Sequence, residues 1–238
     1  MTPTGARVAA GLVHAYTATG AVLALLMVHF AYEGDVQAVL WLFLAAMVVD
    51  GSDGLLARHF QVKTVMPGFD GALLDNIVDY MTYAFAPMVL LWANGYLPDG
   101  MLGGVVAAVP LLASCYQFCR SDAKTDDHFF LGFPSYWNVV AFYAIVAGFD
   151  IGLTTLVIVV CTVLVFVPVK YVYPSRTKAF RSMNLLTTAI WLAAYALLLA
   201  QMPNPNPLVV AVSLAYLVYY GALSLYLTFW APRRVKAV

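Results

Sequence analysis

Four aspartates on two neighbouring apolar segments are the residues whose types and spacing could do chemistry. Asp50 and Asp53 are three residues apart, and Asp75 and Asp79 are four residues apart. Residues at these spacings share one face of a helix, so each pair of carboxylates is predicted to project in one direction. Carboxylates within apolar helices are costly unless a counter-charge balances them. The pattern therefore predicts a divalent metal site between the two segments.

Small residues and an arginine accompany the carboxylates. Gly54, Ala57 and Arg58 continue the face of the first pair, and Gly71 precedes the second pair by one helical turn. Small residues let a ligand approach the backbone, and an arginine can hold a phosphate through paired hydrogen bonds. With Mg²⁺ or Mn²⁺ on the carboxylates, these residues predict a diphosphate-binding surface, on which two ions would serve phosphoryl transfer. By itself, Arg58 is also typical of an interfacial arginine that reaches the lipid headgroups.

The composition places these residues in a membrane protein. Of 238 residues, 63% are hydrophobic and 10% are charged, and the mean hydropathy is +0.84. Soluble domains carry about 25% charged residues, so an integral membrane protein is predicted. The formal net charge is zero, and no long basic stripe is present, which argues against nucleic-acid binding. Cys115, Cys119 and Cys161 are interpreted as free thiols, because no histidine or further cysteine has metal-site spacing to them.

The hydrophobic pattern predicts an all-α, polytopic bundle of about eight transmembrane helices. The chain is interpreted as one membrane domain, 1–238, with a catalytic core at about 11–170 and additional C-terminal helices at about 184–230. Residues 148–152 are predicted to form a tight hairpin between two short spans. The predicted spans are 11–32, 36–59, 70–97, 100–120, 136–149, 151–170, 184–201 and 208–230.

The charges predict how this bundle is oriented. Eight spans put both termini on one side of the membrane, and every Lys and Arg then falls on that side. The positive-inside rule makes that side cytoplasmic. The four aspartates would lie near the cytoplasmic ends of their helices, where a soluble substrate and a lipid headgroup can meet. Adding or removing two spans away from the charges would preserve the asymmetry. The opposite loops carry only Glu33, Asp35, Asp99 and Asp150 as charged residues.

The spacing of the motif resembles the signature of the CDP-alcohol phosphotransferases. That signature reads D-x-x-D-G-x-x-A-R, a gap, and then G-x-x-x-D-x-x-x-D. The gap between the two halves, residues 59–70, is longer than in many members. Eight fixed positions make the match specific. They are Asp50, Asp53, Gly54, Ala57, Arg58, Gly71, Asp75 and Asp79.

The resemblance implies roles for these positions. Asp50, Asp53 and Asp75 would be metal ligands, and Asp79 would be both a ligand and the base that deprotonates the acceptor hydroxyl. Gly54, Ala57, Arg58 and Gly71 would line the site of the CDP group. Family members carry an Asn/Thr polar patch on the first span, and His14 and Thr17 stand at the corresponding places here, with His14 in place of the asparagine.

Other stretches resemble one branch of the family along nearly the whole chain. Residues 49–54, 122–134 and 137–143, together with the two C-terminal spans, are similar to bacterial members that use choline. Those enzymes join free choline to CDP-diacylglycerol, release CMP and form phosphatidylcholine, usually with Mn²⁺. The resemblance also implies a homodimer in the bacterial inner membrane, with the active site facing the cytoplasm.

Choline would need an aromatic site, because a quaternary ammonium donates no hydrogen bond and is commonly held against aromatic faces. Trp137 and Tyr116 are favoured, because both flank the polar loop beside the predicted active site. Tyr136, Tyr83 and Tyr80 are further candidates near the cytoplasmic face. Any one of these aromatics is also typical of the belt at a membrane interface.

Two alternatives stay open. Another member of the family could take serine, glycerol phosphate or an inositol phosphate as the acceptor, and a phosphorylated acceptor could use Arg176, Lys178 and Arg181. A protein of another class, a divalent-cation carrier, could also use four carboxylates, but it predicts polar residues across the whole bilayer.

Two further polar features are expected to be structural. Asp126, Asp127 and His128 could bind a second metal, but we expect them to belong to a solvated loop that caps a helix. Asp70 is predicted to be the N-cap of the third span.

Overall fold

The structure, a computed structural model, describes residues 3–231. Helices dominate it, which confirms the predicted all-α membrane bundle. A π-helical segment (Tyr80–Phe85) joins α4 to α5, and two short strands, β1 (Phe129–Leu131) and β2 (Lys170–Val172), form an antiparallel pair. The α-helices are α1 (Pro3–Glu33), α2 (Val36–His59), α3 (Val62–Val65), α4 (Gly71–Asp79), α5 (Ala86–Ala93), α6 (Gly100–Cys119), α7 (Trp137–Val146), α8 (Ile151–Phe166), α9 (Arg181–Ala200) and α10 (Pro207–Phe229).

The chain reverses within two residues between α1 and α2. Gly34 has a φ of +76°, a conformation that glycine adopts without a steric cost. The Asp35 side chain caps α2 by accepting a hydrogen bond from the Ala38 backbone nitrogen at 2.9 Å. As a result, α1 and α2 lie side by side and make the most extensive helix contact among the described residues.

The third predicted span is helical from residue 71 to residue 93, but it is not a uniform α-helix. Asp70 caps α4, as predicted, by accepting hydrogen bonds from the backbone nitrogens of Ala72 and Leu73, both at 3.0 Å. The π-helical segment follows directly after Asp79, and Pro87 stands in the first turn of α5. Proline cannot donate the backbone hydrogen bond of a continuous helix. Wider π-turns inside α-helices frequently occur at functional sites.

The two short helices form the predicted hairpin. Between α7 and α8, Gly148 has a φ of +65°, and Asp150 accepts a hydrogen bond from the Leu153 backbone nitrogen at 2.7 Å. The strand pair that flanks this hairpin is not among the predicted elements. In it, Phe130 pairs with Tyr171. Its partners lie far apart in the chain, so no local pattern indicates the pairing.

The C-terminal helices α9 and α10 pack on the preceding helices through buried aromatic and polar contacts. Tyr195 of α9 stacks on Phe142 of α7, with ring centroids 3.7 Å apart. The Trp191 indole nitrogen donates to the Tyr143 hydroxyl at 2.8 Å, and that hydroxyl shares a hydrogen bond with Ser213 of α10. Buried polar groups are satisfied in this way inside a bundle that faces lipid.

Five helices within residues 3–231 are long and apolar enough to cross a membrane, namely α1, α2, α6, α9 and α10. The apolar helices α7 and α8 are shorter. Large apolar side chains such as Leu12, Leu112 and Val218 are exposed on the outer helix surfaces, which suits contact with lipid tails. The chain is therefore a multi-pass membrane protein, and the count of eight spans stays a prediction. Arg233, Arg234 and Lys236, which the charge pattern assigns to the cytoplasmic side, lie outside the described residues.

Candidate active site

Three of the four predicted carboxylates converge between α2 and α4. Asp50 lies in the C-terminal half of α2, Asp75 in the middle of α4, and Asp79 at the last residue of α4. One oxygen atom from each lies within 4.8 Å of the other two. Two oxygens that bind one hard divalent ion at about 2.0–2.6 Å can be up to about 4–5 Å apart. The three carboxylates are therefore spaced so that they could share a metal ion.

Asp53 faces the same recess but has a protein partner. Its side chain is buried, with 7% of the residue surface exposed, and its Oδ2 accepts a hydrogen bond from the Thr17 hydroxyl at 2.8 Å. All four aspartates line one recess, together with Thr17, Gly20 and Thr82. Thr17, which is predicted to lie near the nucleotide, orients Asp53 in this structure.

The charge balance of the recess fits a divalent cation. Within residues 3–231, one ion pair reaches the carboxylate cluster: the Lys124 Nζ lies 3.7 Å from the Asp75 Oδ2. The Lys124 side chain is 51% exposed, and Arg176 acts on Asp75 only from a longer distance. Within the described residues, four carboxylates therefore share one solvated ion-pair partner. Such clusters need further positive charge, and a set of carboxylate oxygens suits Mg²⁺ or Mn²⁺ better than softer metals.

The motif glycine Gly71 permits a close approach between α4 and α1. A Cβ atom at this position would lie 2.8 Å from the His14 Cε1, so alanine does not fit without a shift of His14. The His14 ring packs against Phe69, with centroids 4.2 Å apart. Its Nε2 atom is buried and has no hydrogen-bond partner among the described residues. A buried nitrogen without a partner beside the carboxylate recess suits a polar ligand.

The remaining motif residues lie at the end of α2. The exposed Arg58 folds back along its helix, and a Cβ atom on Gly54 would lie 3.3 Å from the Arg58 Nη1. Ala57 packs against a small apolar cluster that contains Ala10, Val13 and Val62. Arg58 forms no ion pair with the described residues. Its guanidinium therefore keeps its donors available for a ligand.

The loop from residue 120 to residue 128 borders the recess through the Lys124–Asp75 contact and is held by polar contacts. This loop and the strand pair β1–β2 are together called the cover. Arg120 pairs with Asp122 at 2.6 Å, and Lys170 pairs with Asp127 at 2.5 Å. The hydrogen bond from Arg120 lowers the pKa of Asp122. Burial raises the pKa of Asp127, but hydrogen bonds from Lys170 and Thr125 outweigh it, so this pKa is lowered. These contacts occupy Asp127 in a structural pairing, and neither it nor Asp126 belongs to a metal cluster within residues 3–231.

The two favoured choline candidates do not lie in the recess. Trp137 is fully buried, and its indole nitrogen donates to the Ser114 hydroxyl at 2.7 Å. Tyr116 is 46% exposed and packs against Phe166, with the Arg120 guanidinium 5.3 Å from its ring centroid. Trp137 is therefore a core residue and Tyr116 a surface residue, which argues against both as choline contacts.

Of the other three candidates, Tyr80 points to α6, where its hydroxyl donates to the Leu111 carbonyl oxygen, and Tyr83 and Tyr136 lie beside the carboxylates. The Tyr83 hydroxyl donates to the Asp50 Oδ2 at 2.8 Å. Tyr136 contacts Tyr83 edge to face, with ring centroids 6.3 Å apart. The sequence pattern indicates neither a partner for Asp50 nor the Lys124–Asp75 pair. No local signal could indicate them, because the partners of each pair are more than 30 residues apart.

The fold and the site define a class of protein. It is a multi-pass helical membrane protein with a recessed carboxylate cluster that could hold a metal ion. No protein-family model matches the chain. Curated relatives do match it along most of its length. It is 40% identical to the phosphatidylcholine synthase of Legionella pneumophila over 235 residues, which is 96% of this chain and 92% of the relative.

Two further relatives also match this chain along most of its length and of their own. The phosphatidylcholine synthase of Pseudomonas aeruginosa is 36% identical over 95% of this chain and 94% of its own length. The phosphatidylcholine synthase of Borreliella burgdorferi is 33% identical over 94% of this chain and 97% of its own length. The chain therefore belongs to the phosphatidylcholine synthase family, which is part of the CDP-alcohol phosphotransferases.

Proposed function

We propose that this protein synthesises phosphatidylcholine by transferring the phosphatidyl group from CDP-diacylglycerol to choline, with release of CMP. The observation that carries the proposal is the similarity to phosphatidylcholine synthases over about 95% of the chain. This similarity extends to the loop at residues 120–128, the strand pair and the C-terminal helices, all of which lie outside the aspartate motif. The carboxylate cluster supplies a chemically suitable site.

Asp50, Asp75 and Asp79, with Asp53 beside them, are the proposed ligands of two Mn²⁺ or Mg²⁺ ions. A bound divalent ion would withdraw charge from the diphosphate oxygens and stabilise the leaving group. Thr17 keeps the Asp53 carboxylate oriented through its 2.8 Å hydrogen bond, and Tyr83 does the same for Asp50. Both hydrogen bonds fix side chains that would otherwise rotate, which is what preorganised ligands require.

Asp79 is the proposed general base. It lies at the junction between α4 and the π-helical segment, one helical turn after Asp75, and it lines the recess. Asp79 would accept the proton of the choline hydroxyl as that oxygen forms a bond to the phosphorus bearing diacylglycerol. The bond from this phosphorus to the CMP oxygen breaks, and CMP leaves with the electron pair. A base must lie within hydrogen-bond reach of the proton that it accepts.

The nucleotide is proposed to lie on the α1 side of the cluster. Gly54 leaves its backbone accessible beside the Arg58 guanidinium, whereas Gly71 acts by letting the His14 ring approach α4. Ala57 is the small residue of the same motif at the end of α2. Arg58 can donate paired hydrogen bonds to a phosphate. The buried Nε2 of His14 is a candidate partner for a polar group of the nucleotide.

The proposed setting is the bacterial inner membrane, with the recess open to the cytoplasm. The basic loops support this orientation, because Lys124 and Arg120 lie on the cover of the same recess. A homodimer is a further proposal, which the family resemblance supports.

An acceptor screen tests the proposed function. Purified protein, CDP-diacylglycerol and Mn²⁺ are incubated with choline, serine, glycerol phosphate or inositol phosphate, and CMP and lipid products are measured. Choline alone is expected to give product, and chelation of the metal is expected to abolish it. Product with another acceptor would move the protein to a different branch of the family. Absence of CMP release with every acceptor would contradict the enzyme assignment and favour the divalent-cation carrier.

A further inference from the structure

Four aromatic side chains, each from a different element of the chain, meet beside the carboxylate cluster. Tyr83 belongs to the π-helical segment, Phe130 to β1, Tyr136 to the residue before α7, and Tyr173 to the residue after β2. Their mutual arrangement is not that of one flat stack. Tyr136 stands edge to face against Phe130 at 6.2 Å and against Tyr83 at 6.3 Å.

The outer end of this group is closed by a stacked pair. Phe130 and Tyr173 stack with centroids 4.6 Å apart and planes inclined by 27°. The Arg176 guanidinium lies 5.8 Å from the Tyr173 centroid. The outermost ring therefore already faces a cation of the protein. The inner rings of the group are Phe130, Tyr136 and Tyr83, and Tyr83 is buried against the carboxylates.

The inner end of the group touches the reactive part of the recess. The Tyr83 hydroxyl donates to Asp50 at 2.8 Å, and Asp79 precedes Tyr83 by four residues on the same helical run. The rings thus continue directly from the carboxylates. In choline, two carbons separate the hydroxyl from the nitrogen, so a site for the ammonium must adjoin the site of the hydroxyl.

The chemistry of these aromatic rings suits a cation that cannot donate hydrogen bonds. A cation within about 6 Å of a ring centroid is attracted by the negative face of the ring. Rings that stand at right angles about 6 Å apart can both come within this distance of one ammonium group. The carboxylates beside them add a negative field. The charged residues that face this region are Asp50, Asp75, Asp79, Lys124 and Arg176.

We propose, on the basis of the proposed function, that Phe130, Tyr136 and Tyr83 form the recess that binds the quaternary ammonium of choline. Tyr173 supports it from outside by stacking on Phe130. Tyr83 and Tyr136 belong to the helical bundle, and Phe130 belongs to the strand pair. Pairing of β1 with β2 therefore completes the acceptor site, and this gives the cover a direct role in substrate selection.

Matched leucine substitutions test this assignment in the full-length protein in detergent, with CDP-diacylglycerol and Mn²⁺. Tyr136→Leu and Phe130→Leu are expected to raise the choline KM about two- to thirtyfold, as expected from a cation–π interaction of about 0.5–2 kcal/mol. The CDP-diacylglycerol KM is expected to stay unchanged. Tyr136→Phe, which keeps the ring, is expected to keep the wild-type choline KM. Tyr226→Leu, at an exposed tyrosine of α10, serves as the control.

A second measurement separates ring contact from a structural effect. Dimethylbutanol, in which carbon replaces the nitrogen of choline, is used as a competing acceptor. The preference of the enzyme for choline over this neutral analogue is expected to fall in Tyr136→Leu, because only the charged acceptor loses an interaction. Equal losses for both compounds would overturn the proposal.

Other outcomes are equally decisive. A wild-type protein that makes no phosphatidylcholine contradicts the proposed function itself. A wild-type protein that does make it, with an unchanged choline KM in Tyr136→Leu and Phe130→Leu, overturns only the aromatic recess. An increase in the choline KM of Tyr116→Leu alone would assign the ammonium to the outer surface instead.

Discussion

The acidic recess and its cover are built in opposite ways. The recess is made by α2 and α4, which are nearby in the chain and carry their carboxylates at helical spacing. The cover is made by β1 and β2, which pair across residues 129–131 and 170–172. Helical spacing is a local property, whereas a strand pair depends on the path of the helices between its strands. The carboxylate cluster can therefore be predicted from the sequence, whereas the aromatic group proposed to bind choline cannot.

The largest expected effect comes from the recess. Asp79→Asn keeps the size of the side chain but removes its ability to accept a proton as a base. We expect phosphatidylcholine formation to fall by about 10²–10⁴-fold, the range that general-base catalysis contributes, while CDP-diacylglycerol binding stays detectable. The control is Asp126→Asn, at an exposed carboxylate of the cover, which should keep wild-type turnover. Normal turnover in Asp79→Asn would remove Asp79 as the base.

The packing beneath the recess gives the second prediction. Gly71→Ala would place a methyl group 2.8 Å from His14, and such overpacking typically costs about 1–3 kcal/mol. We expect a lower thermal unfolding temperature and lower activity in detergent. Gly51→Ala is the matched control, because a Cβ atom there meets nothing within 4 Å. If both variants unfold at the same temperature, the close approach of α4 to α1 does not matter for stability.

The contact between the two regions gives a smaller effect. Lys124→Gln removes the cover's positive charge 3.7 Å from Asp75, so the recess should bind Mn²⁺ more tightly. The pair is half exposed, and exposed pairs contribute about 0–1 kcal/mol, so we expect an increase in Mn²⁺ affinity of up to about fivefold. Lys178→Gln, on an exposed residue, is the control in the same Mn²⁺ titration. Unchanged or weaker Mn²⁺ binding by Lys124→Gln would show that this cation does not compete with the metal.

The smallest effect concerns the cover alone and depends on pH. The pKa of Asp127 is lowered from its ordinary value of 3.8, so its pairing with Lys170 stabilises the fold above that value. This stabilisation is lost as the pH falls through the lower pKa of the folded state. Because the pair is exposed, Asp127→Asn should cost less than about 1 kcal/mol at neutral pH. Thermal unfolding across pH measures it, and a difference from wild type that grows on acidification would contradict this sign.

The sequence by itself determined the membrane class, the carboxylate cluster and the N-cap at Asp70. Asp50, Asp75 and Asp79 converge because helical periodicity aligns them and because few residues separate their helices. Asp70 and Asp150 cap helices through contacts within three residues. Each of these features follows from interactions that are local in the chain.

Only the tertiary structure decided which aromatic residues face the carboxylates. Trp137 and Tyr136 are neighbours in sequence, yet one is sealed in the core against Ser114 and the other stands between Phe130 and Tyr83. The same holds for Lys124, whose ion pair joins a loop to a helix about fifty residues earlier. Their positions depend on how α7 and the strand pair dock on the bundle. That docking is set by the summed packing of distant segments, which no short sequence pattern records.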